Sequence, residues 1–255
     1  MRKICTFTQT YSNDRGILFQ LHDRDYLDTS LRNDLGATVY SFHNTSDEVI
    51  DNIKRSAYLS RLSRLCILKY DNISYPQSFK QTLEFIQAQG FDTLMFLQDD
   101  VFSHGRVVYD GELNYDSVDF SPLLEYIKNG DYKMLNLEHY PLSVKTTPDR
   151  VIHKQGEFEV YNTTSTDYQQ AGFFSFDDGP YVASIDFLLA HIYDEVYFNT
   201  PDIWVGESYL NQKISRHPIS RYSTNMPMWH RSRIVGRYAH GREKDLADHI
   251  KLFAK

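Results

Sequence analysis

Residues 91–104 read FDTLMFLQDDVFSH. Thr93-Leu94-Met95-Phe96-Leu97 is an apolar run of strand length, and it has no polar residue at alternate positions. A strand with one wet face would alternate; an unbroken run belongs to a strand covered on both faces, as in a parallel sheet. The run stops abruptly at Gln98-Asp99-Asp100. Adjacent carboxylates repel each other and are costly to bury without a cation beside them. They either cap the next turn or hold a metal ion.

Working back towards the N-terminus, the same alternation repeats. KICTFT (3–8), ATVYSF (37–42) and LCILKY (65–70) are strand-like. Thr45-Ser46-Asp47-Glu48 has capping-box spacing and opens a helix with Val49, Ile53 and Ala57 on one face. Pro76 suits the first turn of a second helix; Phe79, Leu83 and Ile86 form its stripe and Gly90 stops it. Apolar strands alternating with amphipathic helices predict a parallel sheet with helices on both faces.

Beyond residue 102 the pattern is less regular. SPLLEYIKNG (121–130) predicts a helix and KMLNLEHY (133–140) a strand. VIHKQGEFEVYN (151–162) predicts a hairpin turning at Gln155-Gly156. GFFSF (172–176) and YVASI (181–185) flank a turn at Asp177-Asp178-Gly179-Pro180. DFLLAHIYDE (186–195), VGESYLNQKI (205–214) and REKDLADHIKLF (242–253) predict helices.

The chain has 255 residues and no linker or repeat, so a single domain is expected. A net charge of -7 argues against a nucleic-acid partner. Cys5 and Cys66 lie in strand-like runs and read as small core residues, with no zinc or disulfide spacing. No apolar stretch approaches the roughly 20 residues of a membrane span, and the N-terminus turns polar too soon for a signal peptide. A soluble cytoplasmic protein is the expectation. The 19 tyrosines and 16 phenylalanines supply side chains suited to core and to sugar-binding clefts alike.

Ligands of open α/β sheets bind beyond the carboxyl ends of the strands. Here those ends are polar: Thr8-Gln9-Thr10 running on to Arg15, Asp71 to Tyr75, and Gln98-Asp99-Asp100. No dinucleotide fingerprint or P-loop is present to explain them.

Residues 71–102, DNISYPQSFKQTLEFIQAQGFDTLMFLQDDVF, resemble the core of GT-A fold glycosyltransferases, in which the fourth strand ends in an acidic DXD motif. That motif holds a divalent cation and the diphosphate of a nucleotide-sugar. Two further stretches extend the resemblance over residues 1–235: Val205-Gly206-Glu207-Ser208-Tyr209-Leu210 is similar to the family's GE(D/E)xxL segment, and Trp229-His230-Arg231 to a C-terminal element that supplies a metal-binding His. The resemblance implies one GT-A-like, Rossmann-like α/β domain, with a mostly parallel central sheet flanked by helices and a smaller antiparallel acceptor-side portion. Residues 1–102 would form the nucleotide-sugar half, 103–235 the acceptor half and 236–255 a C-terminal helix.

Residue by residue, the resemblance implies that Asp100 and His230 hold Mn²⁺ or Mg²⁺, imidazole suiting Mn²⁺ better. Asp99 and Gln98 sit beside the donor, Gln98 departing from the family's acidic first position. Thr8, Gln9 and Thr10 contact base and ribose, Arg15 the diphosphate, and Tyr75 and Ser78 the nucleotide. Glu207, backed by Asp202, faces the acceptor hydroxyl as base if transfer inverts, or positions the acceptor if it retains. Glu207 read alone is an ordinary acidic residue in a helix's first turn. The implied donor is a UDP-sugar and the acceptor a hydroxyl of a glycan or other molecule. A non-catalytic glycan- or nucleotide-binding module of the same fold is the alternative, motivated by Gln98. A nucleotidyltransferase ranks last, because Thr8 to Gly16 lacks a glycine-rich basic loop.

Overall fold

A computed structural model describes residues 1–11, 26–97, 101–102, 106–107, 113–114, 121–137, 151–156, 158–163, 180–200, 209–210, 213, 219–223 and 229–230. The first half contains β1 (Ile4–Tyr11), α1 (Tyr26–Leu35), β2 (Ala37–His43), α2 (Asp47–Lys54), α3 (Ala57–Ser60), β3 (Leu65–Tyr70), α4 (Tyr75–Ala88) and β4 (Thr93–Phe96). Then come the short strands β5 (Val101–Phe102), β6 (Arg106–Val107) and β7 (Leu113–Asn114), followed by α5 (Ser121–Asn129) and β8 (Met134–Asn136). The remainder comprises β9 (Val151–Gln155), β10 (Phe158–Thr163), β11 (Tyr181–Ser184), α6 (Ile185–Phe187), a π-helical turn (Leu188–Ile192), α7 (Glu195–Phe198), β12 (Ile219–Ser223) and β13 (Trp229–His230).

These strands build a nine-stranded sheet in the order β3-β2-β1-β4-β11-β8-β12-β10-β9. β3, β2, β1 and β4 run parallel to one another. β11 is antiparallel to both β4 and β8, β12 is parallel to β8, and the β9–β10 hairpin closes the far edge antiparallel. The result is an α/β fold, parallel at one side and with an antiparallel portion at the other.

The run that opened the sequence explains the layers. Leu94 and Phe96 join Cys5, Phe7 and Val39 against Phe79, Leu83 and Ile86 of α4. Met95 and Leu97 join Leu31 and Leu35 of α1 and Leu123 and Ile127 of α5 on the opposite face. Side chains alternate across a strand, so a run of five apolar residues fills two cores at once. Burial of the Cys5 thiol, the largest influence on it, pushes its pKa up to about 12 and makes it an inert core residue. α4 starts where Pro76 suggested: Ser74 accepts from Gln77 N at 3.3 Å while Gln77 Oε1 accepts from Ser74 N at 3.4 Å. The 151–162 hairpin turns at Gly156, whose φ of +62° places it in the left-handed region that favours glycine.

Four local expectations change. The cap of α2 is Ser46, accepting from Val49 N, and not Thr45, whose hydroxyl donates to His43 O at 3.2 Å. The helix beginning there ends at Lys54, so Ala57 belongs to α3, which Ser56 caps afresh; the buried face is Ile50 and Ile53. The segment 186–195 is a three-residue α-turn followed by the π-helical turn and then the start of α7, rather than one helix. α1 was not anticipated at all. Its spacing of Leu27, Leu31 and Leu35, with Gly36 behind at φ +126°, was the available signal, masked by the charged residues between. The expected strand 172–176, the turn Asp177-Asp178-Gly179 and the helix 242–253 lie outside the described residues. Among the described residues no helix is long and apolar enough to cross a membrane.

Candidate functional site

The carboxyl ends of β1 and β2 carry a buried polar set where the apolar core stops. Phe7 faces α4, and two residues on so does Gln9, because the strand period is two. Gln9 Nε2 donates to Ser78 Oγ at 2.7 Å and to Tyr75 O at 3.1 Å. Ser78 Oγ donates in turn to Tyr75 O at 2.8 Å. Both amide hydrogens of Gln9 are therefore spent on the first turn of α4, and its Oε1, although buried, has no partner among the described residues. Thr8, Gln9, Thr10, Tyr75 and Ser78 were all expected at the site. The structure brings Gln9, Tyr75 and Ser78 together; Thr8 and Thr10 occupy the opposite face of β1.

On that opposite face Arg32 of α1, only 1% exposed, donates from Nη2 to Thr8 Oγ1 at 3.0 Å. Its guanidinium lies 5.3 Å from the Tyr40 ring centre, a cation–π distance. Thr10 Oγ1 is buried with no partner among the described residues. Arg32 was missed because it sits within an unanticipated helix.

β2 contributes two further residues that sequence reading passed over. Ser41 pairs in register with Gln9, and His43 with Tyr11. Ser41 Oγ and His43 Nδ1 are buried without a partner among the described residues. The His43 ring stands edge-on to Tyr75 at 6.0 Å. Its tautomer follows from its neighbours. Asn72 N donates to Asn44 Oδ1 at 3.1 Å, so the other end of the Asn44 amide is the donor, and it meets His43 Nε2 at 3.1 Å. Nε2 must accept, and the ring proton rests on Nδ1. Burial holds the His43 pKa below its ordinary value, against the opposing pull of the Asp71 carboxylate. The sequence signal for this group is the polar ending of ATVYSFH.

Of the two expected cation ligands, only the backbone of His230 is described. β13 pairs antiparallel with β5, setting His230 opposite Val101 and Trp229 opposite Phe102. Val101 follows Asp100 directly in the chain, and the ladder joins residues 129 and 127 positions apart. Among the described residues no group of three or more acidic, His or Cys side chains is gathered in a way that could hold a metal. Arg15, Gln98, Asp99, Asp100, Asp202, Glu207 and Arg231 lie outside the described residues.

No protein-family model and no curated protein sequence matches this chain. Among solved structures it is similar to TarS of S. aureus, at 12% identity and a TM-score of 0.48 over 89% of this chain and 36% of that one. It thus spans about a third of the length of TarS. It is similar to a UDP-glucose pyrophosphorylase complexed with UDP-glucose, at 12% identity and a TM-score of 0.49 over 98% and 99% of the two chains. It is also similar to the mannosyltransferase PcManGT of Pyrobaculum calidifontis in complex with GDP-Man and Mn²⁺, at 11% identity and a TM-score of 0.35 over 53% and 35%. At this distance the likeness does not speak to chemistry.

Proposed function

We propose that this chain is a metal-assisted glycosyltransferase that moves a sugar from a UDP-sugar to a hydroxyl of a glycan or other acceptor. The observation that carries the reading is the β5–β13 ladder, which delivers His230 next to the residue that follows Asp100. Residues 1–102 form the donor half in this reading and residues 103–235 the acceptor half. Asp100 and His230 hold the divalent cation, Mn²⁺ or Mg²⁺, with Gln98 and Asp99 beside the donor. When bound, the cation offsets negative charge on the departing diphosphate.

The buried polar set supports a uridine donor. A uracil edge presents an N–H flanked by carbonyl oxygens. Gln9 Oε1 is an acceptor lacking a donor, and His43 Nδ1–H a donor lacking an acceptor, among the described residues. A buried group left unpaired costs about 1–3 kcal/mol, so a ligand that satisfies both gains that much selectivity. Thr8, Thr10, Tyr75 and Ser78 complete the nucleoside side of the site and Arg15 meets the diphosphate.

In the transfer step the acceptor oxygen forms a bond to the anomeric carbon. The bond from that carbon to the diphosphate oxygen breaks, and the electron pair leaves with UDP. Glu207, supported by Asp202, takes the acceptor's proton in an inverting reaction; in a retaining one it orients the acceptor.

A thermal-shift panel of nucleotide-sugars with and without Mn²⁺, followed by an assay of released nucleoside diphosphate, tests this reading. Metal-dependent stabilisation by a UDP-sugar with UDP release is expected. Stabilisation without release identifies the non-catalytic module instead. Asp100→Ala should lower turnover by about 10³-fold or more, the several kcal/mol a catalytic cation supplies, with an unchanged melting temperature. Unaltered turnover removes Asp100 from the metal. Glu207→Gln should abolish transfer while UDP affinity persists.

A further inference from the structure

We propose that Asp194 is a positioning residue, fixing the segment that follows Glu207 against the donor half of the molecule; the inference rests on the glycosyltransferase reading above. Asp194 uses both carboxylate oxygens. Oδ1 caps α7 by accepting from Val196 N and Tyr197 N, each at 3.1 Å. Oδ2 accepts from Tyr209 Oη at 2.7 Å and also from Lys213 Nζ. Tyr209 and Lys213 are four residues apart in the chain and reach one oxygen together. Leu210, buried beside them, packs into the same core as Phe79 and Tyr197.

The path continues to the donor side. Glu195, next to Asp194, accepts from Lys80 Nζ of α4 at 2.7 Å, and that ammonium lies 5.3 Å from the Phe198 ring centre. α4 is the helix whose first turn holds Gln9 through Tyr75 and Ser78. Two adjacent carboxylates thus point to different partners, one to the helix carrying the donor contacts and the other to Tyr209, two residues beyond Glu207. Two residues span at most about 7 Å of chain, so whatever fixes Tyr209 limits where Glu207 can be.

Magnitudes separate a positioning role from a stabilising one. The Asp194 and Lys213 side chains keep 36% and 20% of their exposure, and ion pairs this wet add little to folding. A misplacement of about 1 Å at a reacting centre can lower turnover about 10²-fold. The Asp194 carboxyl is raised by its burial, but the Lys213, Tyr209 and Tyr197 donors outweigh that and hold it at about 2. The anchor therefore stays charged at any pH where the protein would work.

The test uses the full chain with Asp194→Asn, which keeps an oxygen for the α7 cap, and Lys213→Met, which leaves the cap untouched. Both should lower kcat about 10–100-fold, shift the melting temperature by less than about 3 °C, and leave affinity for UDP with Mn²⁺ within about twofold. Lys213→Arg should restore most of kcat. Unchanged kcat in both variants, or a loss matched by loss of UDP affinity, overturns the proposal. Hydrogen exchange over residues 205–213 provides a readout free of catalysis. Should no nucleotide-sugar be turned over, the functional reading fails on its own. Faster exchange in both variants then still supports the anchor, and unchanged exchange overturns it.

Discussion

The two sides of the nine-stranded sheet are assembled by different rules. In β3-β2-β1 each strand lies beside one reached through helices, β4 joins on the other side of β1, and the pairing runs parallel along up to seven register positions, Cys5–Tyr11 against Ala37–His43. In β11-β8-β12-β10-β9 only the last pair is consecutive in sequence. β8 is held by two register pairs to β12, from which it is separated by more than 80 residues. The first side closes short loops and gains dense packing early; the second must close long loops before its contacts form. The polar set at the ends of β1 and β2 stands on the first side. The segments expected to meet an acceptor leave from the second.

Core truncation on each side breaks this comparison most forcefully. The Phe79 ring packs 5.2 Å from Phe7, 5.5 Å from Phe96 and 4.9 Å from Tyr193. Phe79→Ala should destabilise the whole molecule by about 3–5 kcal/mol, read as a lower urea midpoint shared by all probes. Val160, fully buried in β10, is a smaller side chain within the edge hairpin. Val160→Ala should lower stability by about 2 kcal/mol and speed hydrogen exchange first in β9, β10 and β12. Equal effects on both sides, with exchange rising everywhere together, would mean that the sheet is one cooperative unit despite its wiring.

The same contrast decides what could be read in the sequence. TLMFL, LCILKY and the α4 stripe announce themselves because both faces of a parallel strand are apolar and the adjoining helix shows its period locally. QGEFE marks its hairpin because the turn is a nearest-neighbour event. β8 between β11 and β12 leaves no local trace, since its partners are chosen by long-range packing. α1 escaped notice because its buried stripe includes Arg32, a charge that tertiary contacts with Thr8 and Tyr40 accommodate. At the site, Gln9, Tyr75 and Ser78 were legible as polar residues at strand and helix ends. Ser41 and His43 were not, because burial on the α4 face is a property of the sheet's layering rather than of their own segment.

A smaller perturbation tests the proposal that the parallel side binds the donor. Gln9→Leu removes the Oε1 acceptor and the two donations to Ser78 and Tyr75 at nearly constant volume. Exchanging a buried polar group for an apolar one of similar shape can be almost neutral for folding. Binding has no such compensation: affinity for UDP with Mn²⁺ should fall about 10-fold, within the 1–3 kcal/mol of one buried hydrogen-bonding group. Isothermal titration beside a melting curve separates the two. Retained affinity would remove Gln9 from the base and leave it a brace for α4.

The gentlest probe is pH, and its sign can be worked out. His43 is neutral in the fold, with its proton on Nδ1 and Nε2 accepting from Asn44. Charging the ring puts a hydrogen on Nε2, facing an amide nitrogen that has only hydrogens to offer. Burial opposes the charge as well, and lowers the folded pKa beneath the unfolded 6.5. The unfolded chain therefore binds the proton more readily, and stability rises with pH across this window. Above pH 6.5 the group contributes no pH dependence; below it, stability declines until pH reaches the folded pKa. His43→Gln cannot titrate, so the difference between wild-type and variant melting temperatures should shrink or reverse as pH falls from about 7 to 5. A difference that stays constant over that range would show that His43 is solvated or that its proton lies on the other nitrogen. The end of β2 would then be an ordinary wet strand end, no different from those on the antiparallel side.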